Sequence, residues 1–421
     1  MPNFTQKSFK PGVDRILYAQ AVFDQEEIDA VVESLKSGWL GPGKYTQQFE
    51  EEVAKLFGKK YGLFVNSGSS ANLIAVEIAN LPAGSEVITQ ACTFPTTLSP
   101  IVFKGLRPVF VDSKLGTYNI DEDRIEEAIT PKTKAVFISH MLGNVNDMEK
   151  IAQICKKYNL LFVEDSCDIH GGKFGGLPTG YWSDITTTSF YAPHPTTAAG
   201  AGGMVMTNDE NLIVEARILN DWGRVLPGTF DENFEERFNY QIEDIDYDGK
   251  FIFSKLGYNF KAIDLQAAFG LVQLQKLKNF NDTRTKNFQR LYNFFKNYQE
   301  HFILPQMHPK AEVYWLTFPL TIRPESTISR KDLLAYLETN KIQTRVVYAG
   351  NILLHPAFKE IPHRVSGVLE NANLIARQSF VVGCHQGMSD EQMSYMCEIF
   401  TKYLEKLAKP RKKPQTIYQA L

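Results

Sequence analysis

Between Tyr61 and Thr207 short apolar runs alternate with segments of helical periodicity, and this restricts the fold more than any other feature of the 421-residue chain. Gly62–Val65, Glu86–Thr89, Pro108–Asp112, Ala135–Ser139, Leu160–Asp165 and Gly203–Thr207 read as buried strands. Ser70–Ala79 and Met148–Tyr158 carry apolar residues at helical spacing. Strands alternating with helices predict an α/β unit: a three-layer α/β/α domain around a mixed, mainly parallel sheet. Further on, Asp264–Leu277 (DLQAAFGLVQLQKL) predicts a strongly periodic helix, followed by a longer one through about Tyr298. After Pro305 the pattern changes. Tyr314–Ile322 reads as a strand, Lys331–Asn340 as a helix and Thr344–Tyr348 as another strand. The chain is too long for one small core. The expected division is a large domain with an N-terminal arm over 1–280 and a small C-terminal α+β domain over 281–421.

Composition narrows the class of partner. A net charge of −3 offers no reason to expect nucleic acid or an anionic membrane. The stretch Met1–Gly12 has no apolar signal region, and no apolar run is long enough to span a bilayer. Cys92, Cys155, Cys167, Cys384 and Cys397 are odd in number and form no C-x-x-C pair, which predicts reduced thiols in a cytoplasmic protein. The basic stretch Lys409–Lys413 reads as part of a frayed terminus.

Three segments carry candidate chemistry. Asn66-Ser67-Gly68-Ser69-Ser70 follows a strand and opens a helix, where unpaired N–H groups and the positive dipole end suit a phosphate. Val163-Glu164-Asp165-Ser166-Cys167-Asp168 ends an apolar strand in acids, and a carboxylate there can hold a pyridinium N–H. Thr187–Pro195 ends in a turn that places His194 between two prolines, and Gly200-Ala201-Gly202-Gly203 starts the next strand. Taken singly, these are a Ser-capped helix, a loop ion pair and a surface histidine. Their order gives them weight. Two weaker candidates are Cys384-His385, too few ligands for a closed metal site, and Arg345, whose guanidinium suits a carboxylate or phosphate as well as it suits solvent.

On these residues the chain resembles the DegT/DnrJ/EryC1/StrS family of sugar aminotransferases, over roughly Ile28 to Phe400. Where that family reads S-G-T-A, E-D-A-A-Q and S-F-x-P-x-K, this chain has Ser67-Gly68-Ser69-Ser70, Glu164-Asp165-Ser166-Cys167-Asp168 and Ser189-Phe190-Tyr191-Ala192-Pro193-His194. A fourth match runs from Gly257-Tyr258-Asn259 to Asp264-Leu265-Gln266-Ala267-Ala268. The resemblance implies the fold type I architecture of PLP-dependent transferases, with pyridoxal or pyridoxamine 5′-phosphate (PLP or PMP) as cofactor. It implies that Gly68, Ser69, Ser70 and Ser189 hold the cofactor phosphate and that Asp165 pairs with the ring nitrogen. Phe94 would stack on the ring, and Asp168, in place of the family's Gln, would be a further cofactor-binding residue. Asn259 would reach the phosphate of a neighbouring subunit, which implies a homodimer with shared sites.

One departure is informative. His194 stands where the family carries its lysine, and imidazole cannot form the covalent imine that an amine forms. No lysine occurs between Lys173 and Lys250 to replace it. The substitution resembles the branch of sugar 3-dehydratases, which implies a non-covalently bound cofactor, a nucleotide-linked 4-keto-6-deoxy sugar as substrate, His194 as base and an amino donor such as glutamate. One class in that branch, CDP-4-keto-6-deoxyglucose 3-dehydrase, adds a [2Fe–2S] cluster held as C-x57-C-x-C-x7-C. It also shares the D-W-G-R stretch found here at Asp221–Arg224. Counted from Cys167, the later ligand positions are Val225, Pro227 and Glu235, so no such cluster is expected. The other class, GDP-4-keto-6-deoxymannose 3-dehydratase, needs none. Two rival readings stay open: an aminotransferase of the same family, which would yield an amino sugar without loss of the C3 hydroxyl, and a binding-only member, which would not turn over.

Overall fold

The computed structural model describes residues 8–227 and 234–408; the basic stretch Lys409–Lys413 lies outside them. Eight strands form the main sheet, in the order Tyr61–Val65, Gly203–Thr207, Ile185–Ser189, Leu161–Asp165, Thr133–Ser139, Glu86–Gln90, Arg107–Val111 and Arg364–Val365. Gly203–Thr207 runs antiparallel to both its neighbours, and the other pairs are parallel. This is the mixed, mainly parallel sheet that the alternation predicts.

Strand periodicity explains the layering. Val87, Phe137 and Val163 face one side, against Ile74, Leu98, Ile101 and Ala216 of the helices Gly68–Ile78, Pro95–Phe103 and Glu210–Asn220. Their neighbours Ile88, Ile138 and Phe162 face the other, against Met148, Ile151 and Ile154 of Met148–Tyr158. Each fully buried aliphatic or aromatic side chain in these layers contributes roughly 1.5–3 kcal/mol.

The two helices expected after Asp264 are one continuous helix, Asp264–Phe295, so residues 280 and 281 lie within it. A second, antiparallel sheet of Phe302–Ile303, Phe318–Ile322 and Ser379–Val382 packs against its C-terminal half through Phe288, Leu291 and Phe295. The C-terminal part also returns to the main sheet: Arg364–Val365 pairs with Arg107–Val111, and Ile352 and Leu369 join the core beneath it.

Two expected strands are shorter or missing. The run from Tyr314 becomes a strand only at Phe318, because the preceding backbone is engaged elsewhere. Leu316 N–H donates to the Leu142 carbonyl at 2.7 Å, and the Trp315 and Leu316 carbonyls accept from Arg284. Thr344–Tyr348 forms a single antiparallel bridge, Arg345 to Val381, instead of a strand. Thr344 N–H is taken by Glu338 at 2.6 Å, and Tyr348 turns to a φ of +42°.

Candidate active site

The carboxyl ends of the parallel strands open on one side of the sheet, where ligands bind in such folds. A cavity of about 420 Å³ lies there, and its wall includes Gly68, Ser69, Phe94, Asp165, Asp168, Ser189 and His194. Residues from three separate motifs therefore converge. Ser70 and Asn259 do not line it. The Ser70 hydroxyl turns back to Asn66 Oδ1 at 2.7 Å, and Asn259 is exposed, bridged to Asp221.

Ser67 caps the helix Gly68–Ile78 by accepting from Ser70 N–H. Gly68 is sterically required at this close approach. A Cβ placed there would sit 2.6 Å from the Ser189 Cβ and 2.9 Å from the Cys167 Sγ. The result is a narrow cradle at a helix N-terminus, lined by small hydroxyl side chains.

Successive residues of Leu161–Asp165 and the loop after it point to different faces. Glu164 turns away from the cavity, pairing with His140 Nε2 at 3.0 Å, both side chains fully buried. Asp165 turns into the cavity. Its Oδ2 accepts from Asn72 Nδ2 at 2.8 Å and Thr97 Oγ1 at 2.7 Å, and its Oδ1 from Cys167 N–H at 3.0 Å. Asp168 Oδ2 accepts from Leu142 N–H at 2.9 Å and from the Tyr348 hydroxyl at 2.7 Å. Burial pushes the Asp168 carboxyl up to about 7, against the pull of the Tyr348 bond.

His194 sits in the tight turn after Ile185–Ser189, with its N–H bonded to the Tyr191 carbonyl at 2.9 Å. Its Nδ1 lies 3.1 Å from the Ser189 carbonyl, which can only accept, so Nδ1 carries the hydrogen. Nε2, 3.9 Å from Asp168 Oδ1, keeps the lone pair. Burial lowers the imidazole to about 4, so it is neutral around pH 7.

Nothing in the sequence pattern marks Asn72, Thr97 or Tyr348 as a site residue. Asn72 was legible only as a polar residue in an otherwise apolar stretch of helix. The Arg345 guanidinium stacks over the Tyr18 ring at 4.9 Å and donates to its neighbour's carbonyl, outside the cavity wall. His385 is buried and bonded to the Leu17 carbonyl, and no metal-binding group of three or more His, Cys, Asp or Glu occurs among the described residues. Among the same residues, no helix is long and apolar enough to cross a membrane.

Residues 22–401 match the DegT/DnrJ/EryC1/StrS aminotransferase family. The chain belongs to this family. It is 38% identical, over 95% of its own length and 88% of the relative's, to dTDP-4-dehydro-2,6-dideoxy-D-glucose 3-dehydratase of Saccharopolyspora spinosa. It is 37% identical to the lipopolysaccharide biosynthesis protein RfbH of Salmonella typhimurium, covering 94% and 93% of the two chains. Its fold superposes with a TM-score of 0.83 on E. coli GDP-4-keto-6-deoxy-D-mannose-3-dehydratase with bound hydrated PLP, at 29% identity over 92% of this chain and 99% of that one. The fold type I expectation is met by that likeness and by the layered sheet.

Proposed function

We propose that this protein removes the C3 hydroxyl of a nucleotide-linked 4-keto-6-deoxyhexose, using PMP held without a covalent bond. The observation that carries the reading is the cavity wall, which holds a histidine in a fixed orientation and, among the described residues, no lysine. The cavity suits a pyridoxal-type cofactor in its donor chemistry. The cradle at Gly68 has room for backbone approach and no Cβ, and Asp165 offers a carboxylate to a ring N–H. When bound, the cofactor supplies an amine for the C4 ketone and a cationic ring that accepts developing charge.

The protein's residues divide the remaining work. Gly68, Ser69 and Ser189 hold the phosphate end, with Ser70 turned away from it toward Asn66; Phe94 covers the ring, and Asp165 keeps the ring nitrogen protonated. His194 Nε2 takes up a proton at the reacting centre, and the imidazolium returns it to the departing C3 hydroxyl. A neutral imidazole suits this role at working pH. Asp168, beside it, completes the site. Asn259 is exposed on its own chain, in keeping with service to the cavity of a second copy in a homodimer.

Val225, Pro227 and Glu235 supply no thiolate, so we expect no iron–sulfur cluster and a redox-neutral course. Hydrolysis would release ammonia, and glutamate would restore the amine form of the cofactor in a cytoplasmic setting. The decisive experiment is mass spectrometry of the products from a panel of 4-keto-6-deoxy nucleotide sugars with PMP. A 3-deoxy-4-keto product supports the reading. An amino sugar that keeps its C3 oxygen, or no turnover at all, overturns it. Stoichiometric iron and sulfide after anaerobic purification would refute the cluster-free course.

A further inference from the structure

Asp168 offers one carboxylate oxygen to His194 and gives the other to two donors far apart in the chain. Leu142 N–H and the Tyr348 hydroxyl both reach Oδ2, at 2.9 and 2.7 Å, and Oδ1 faces His194 Nε2 at 3.9 Å. Both donor residues hold left-handed backbone: Leu142 has a φ of +57° and Tyr348 a φ of +42°. Such conformations persist at non-glycine residues only where the surroundings over-determine them.

Here the surroundings can be named. The Leu142 carbonyl accepts from Leu316 N–H at 2.7 Å, and the Leu316 carbonyl accepts from Arg284 Nη1 at 2.9 Å. Arg284 is fully buried on the long helix, so this brace is shielded from water. The Tyr348 ring meets Phe94 edge-on, with centroids 5.6 Å apart, which fixes the direction of its hydroxyl.

We propose that Tyr348 is a positioning residue, whose hydroxyl holds the Asp168 carboxyl in register with His194 so that the two act as one proton-carrying pair. This rests on the reading of His194 as the base. Without the phenol, Oδ2 keeps one donor and the carboxyl is free to turn. The other titratable groups facing the pair are Asp165 and Cys167 on the strand-end loop, His170 beyond it, Tyr191 edge-on to the His194 ring, Arg284 on the long helix and Tyr18 from the N-terminal segment. Tyr348→Phe leaves all of them in place and removes one oxygen. Because that hydroxyl stabilises the ionised carboxyl, its loss raises the pH at which Asp168 gives up its proton.

The test is a pH titration of the protonated-carboxyl infrared band in the full-length, PMP-loaded protein, with the band assigned by its absence in Asp168→Asn. The expected result in Tyr348→Phe is a midpoint about one unit higher, the size of one hydrogen bond to a charged group. A fall in kcat of roughly tenfold with KM little changed should accompany it. A double variant closes the argument: once Asp168 is Asn, adding Tyr348→Phe should leave the His194 imidazole titration, read by NMR, where it was. An unmoved carboxyl midpoint in a folded Tyr348→Phe protein overturns the inference, as does a His194 shift that persists in the double variant. A moved midpoint without sugar turnover supports the clasp and counts only against the dehydratase reading.

Discussion

Two carboxylates three residues apart, Asp165 and Asp168, share one loop and behave differently. Asp165 accepts three hydrogen bonds spread over both oxygens, from Asn72, Thr97 and its own loop. Asp168 receives both its donors on Oδ2, leaving Oδ1 toward His194, and burial pushes it up to about 7. The first arrangement holds the carboxylate in one orientation; the second leaves one oxygen open toward a neighbour with which it can exchange a proton. The difference lies in the count and placement of donors, since the side chains are chemically identical.

His194 decides whether the titrating half matters. His194→Asn should lower dehydration by roughly 10²–10⁴-fold while cofactor affinity changes little. His194→Lys should instead form a covalent imine with PLP, seen as a shifted absorbance band and trapped by borohydride. A stoichiometric pyridoxyl-lysine in the unmodified protein would contradict non-covalent binding.

The two carboxylates should separate by parameter. Asp165→Asn is expected to weaken cofactor binding by about 10–100-fold, the worth of a charge-assisted hydrogen bond. Asp168→Asn should reduce kcat and leave cofactor affinity within a few-fold. Equal losses of affinity in the two variants would erase the distinction drawn between them.

Gly68→Ala tests the rigid side of the site. The new Cβ would press on Ser189 and Cys167, so about 1–3 kcal/mol of stability should be lost, with a roughly tenfold weaker hold on phosphate. Full affinity and an unchanged Tm would mean that the cradle is looser than described.

The smallest effect concerns His170, bonded to Thr188 and Thr196 at 3.0 and 2.7 Å and pushed down to about 3 chiefly by burial. Its folded value lies below its ordinary one, so the neutral form is favoured in the fold. Its contribution to stability is complete above about pH 6.5 and is lost as pH falls toward 3. In urea titrations between pH 7 and 5, His170→Gln should flatten the acid-side slope by up to about 1.4 kcal/mol per pH unit. An unchanged slope would show that His170 does not resist protonation.

Much of this was legible in the sequence because strands and helices announce themselves by local period. The alternation from Tyr61 to Thr207 is a property of neighbours, and the helix Met148–Tyr158 has the bounds its spacing predicts. Thr344–Tyr348 failed as a strand because the Thr344 N–H was taken by Glu338 and Tyr348 turned to a positive φ, which no local pattern reveals.

The sequence alone determined the alternation of strands and helices, the order of the motifs along the chain, the family, and the substitution of His194 for lysine, because each is written in contiguous residues. Tertiary structure alone decided which carboxylate is anchored and which faces the histidine. The donors to Asp165 Oδ2 stand 93 and 68 residues away and the phenol that holds Asp168 stands 180 away. Bonds over such distances exist only once sheet, helices and C-terminal segment have packed, since packing is what brings chemically ordinary side chains within 3 Å of one another.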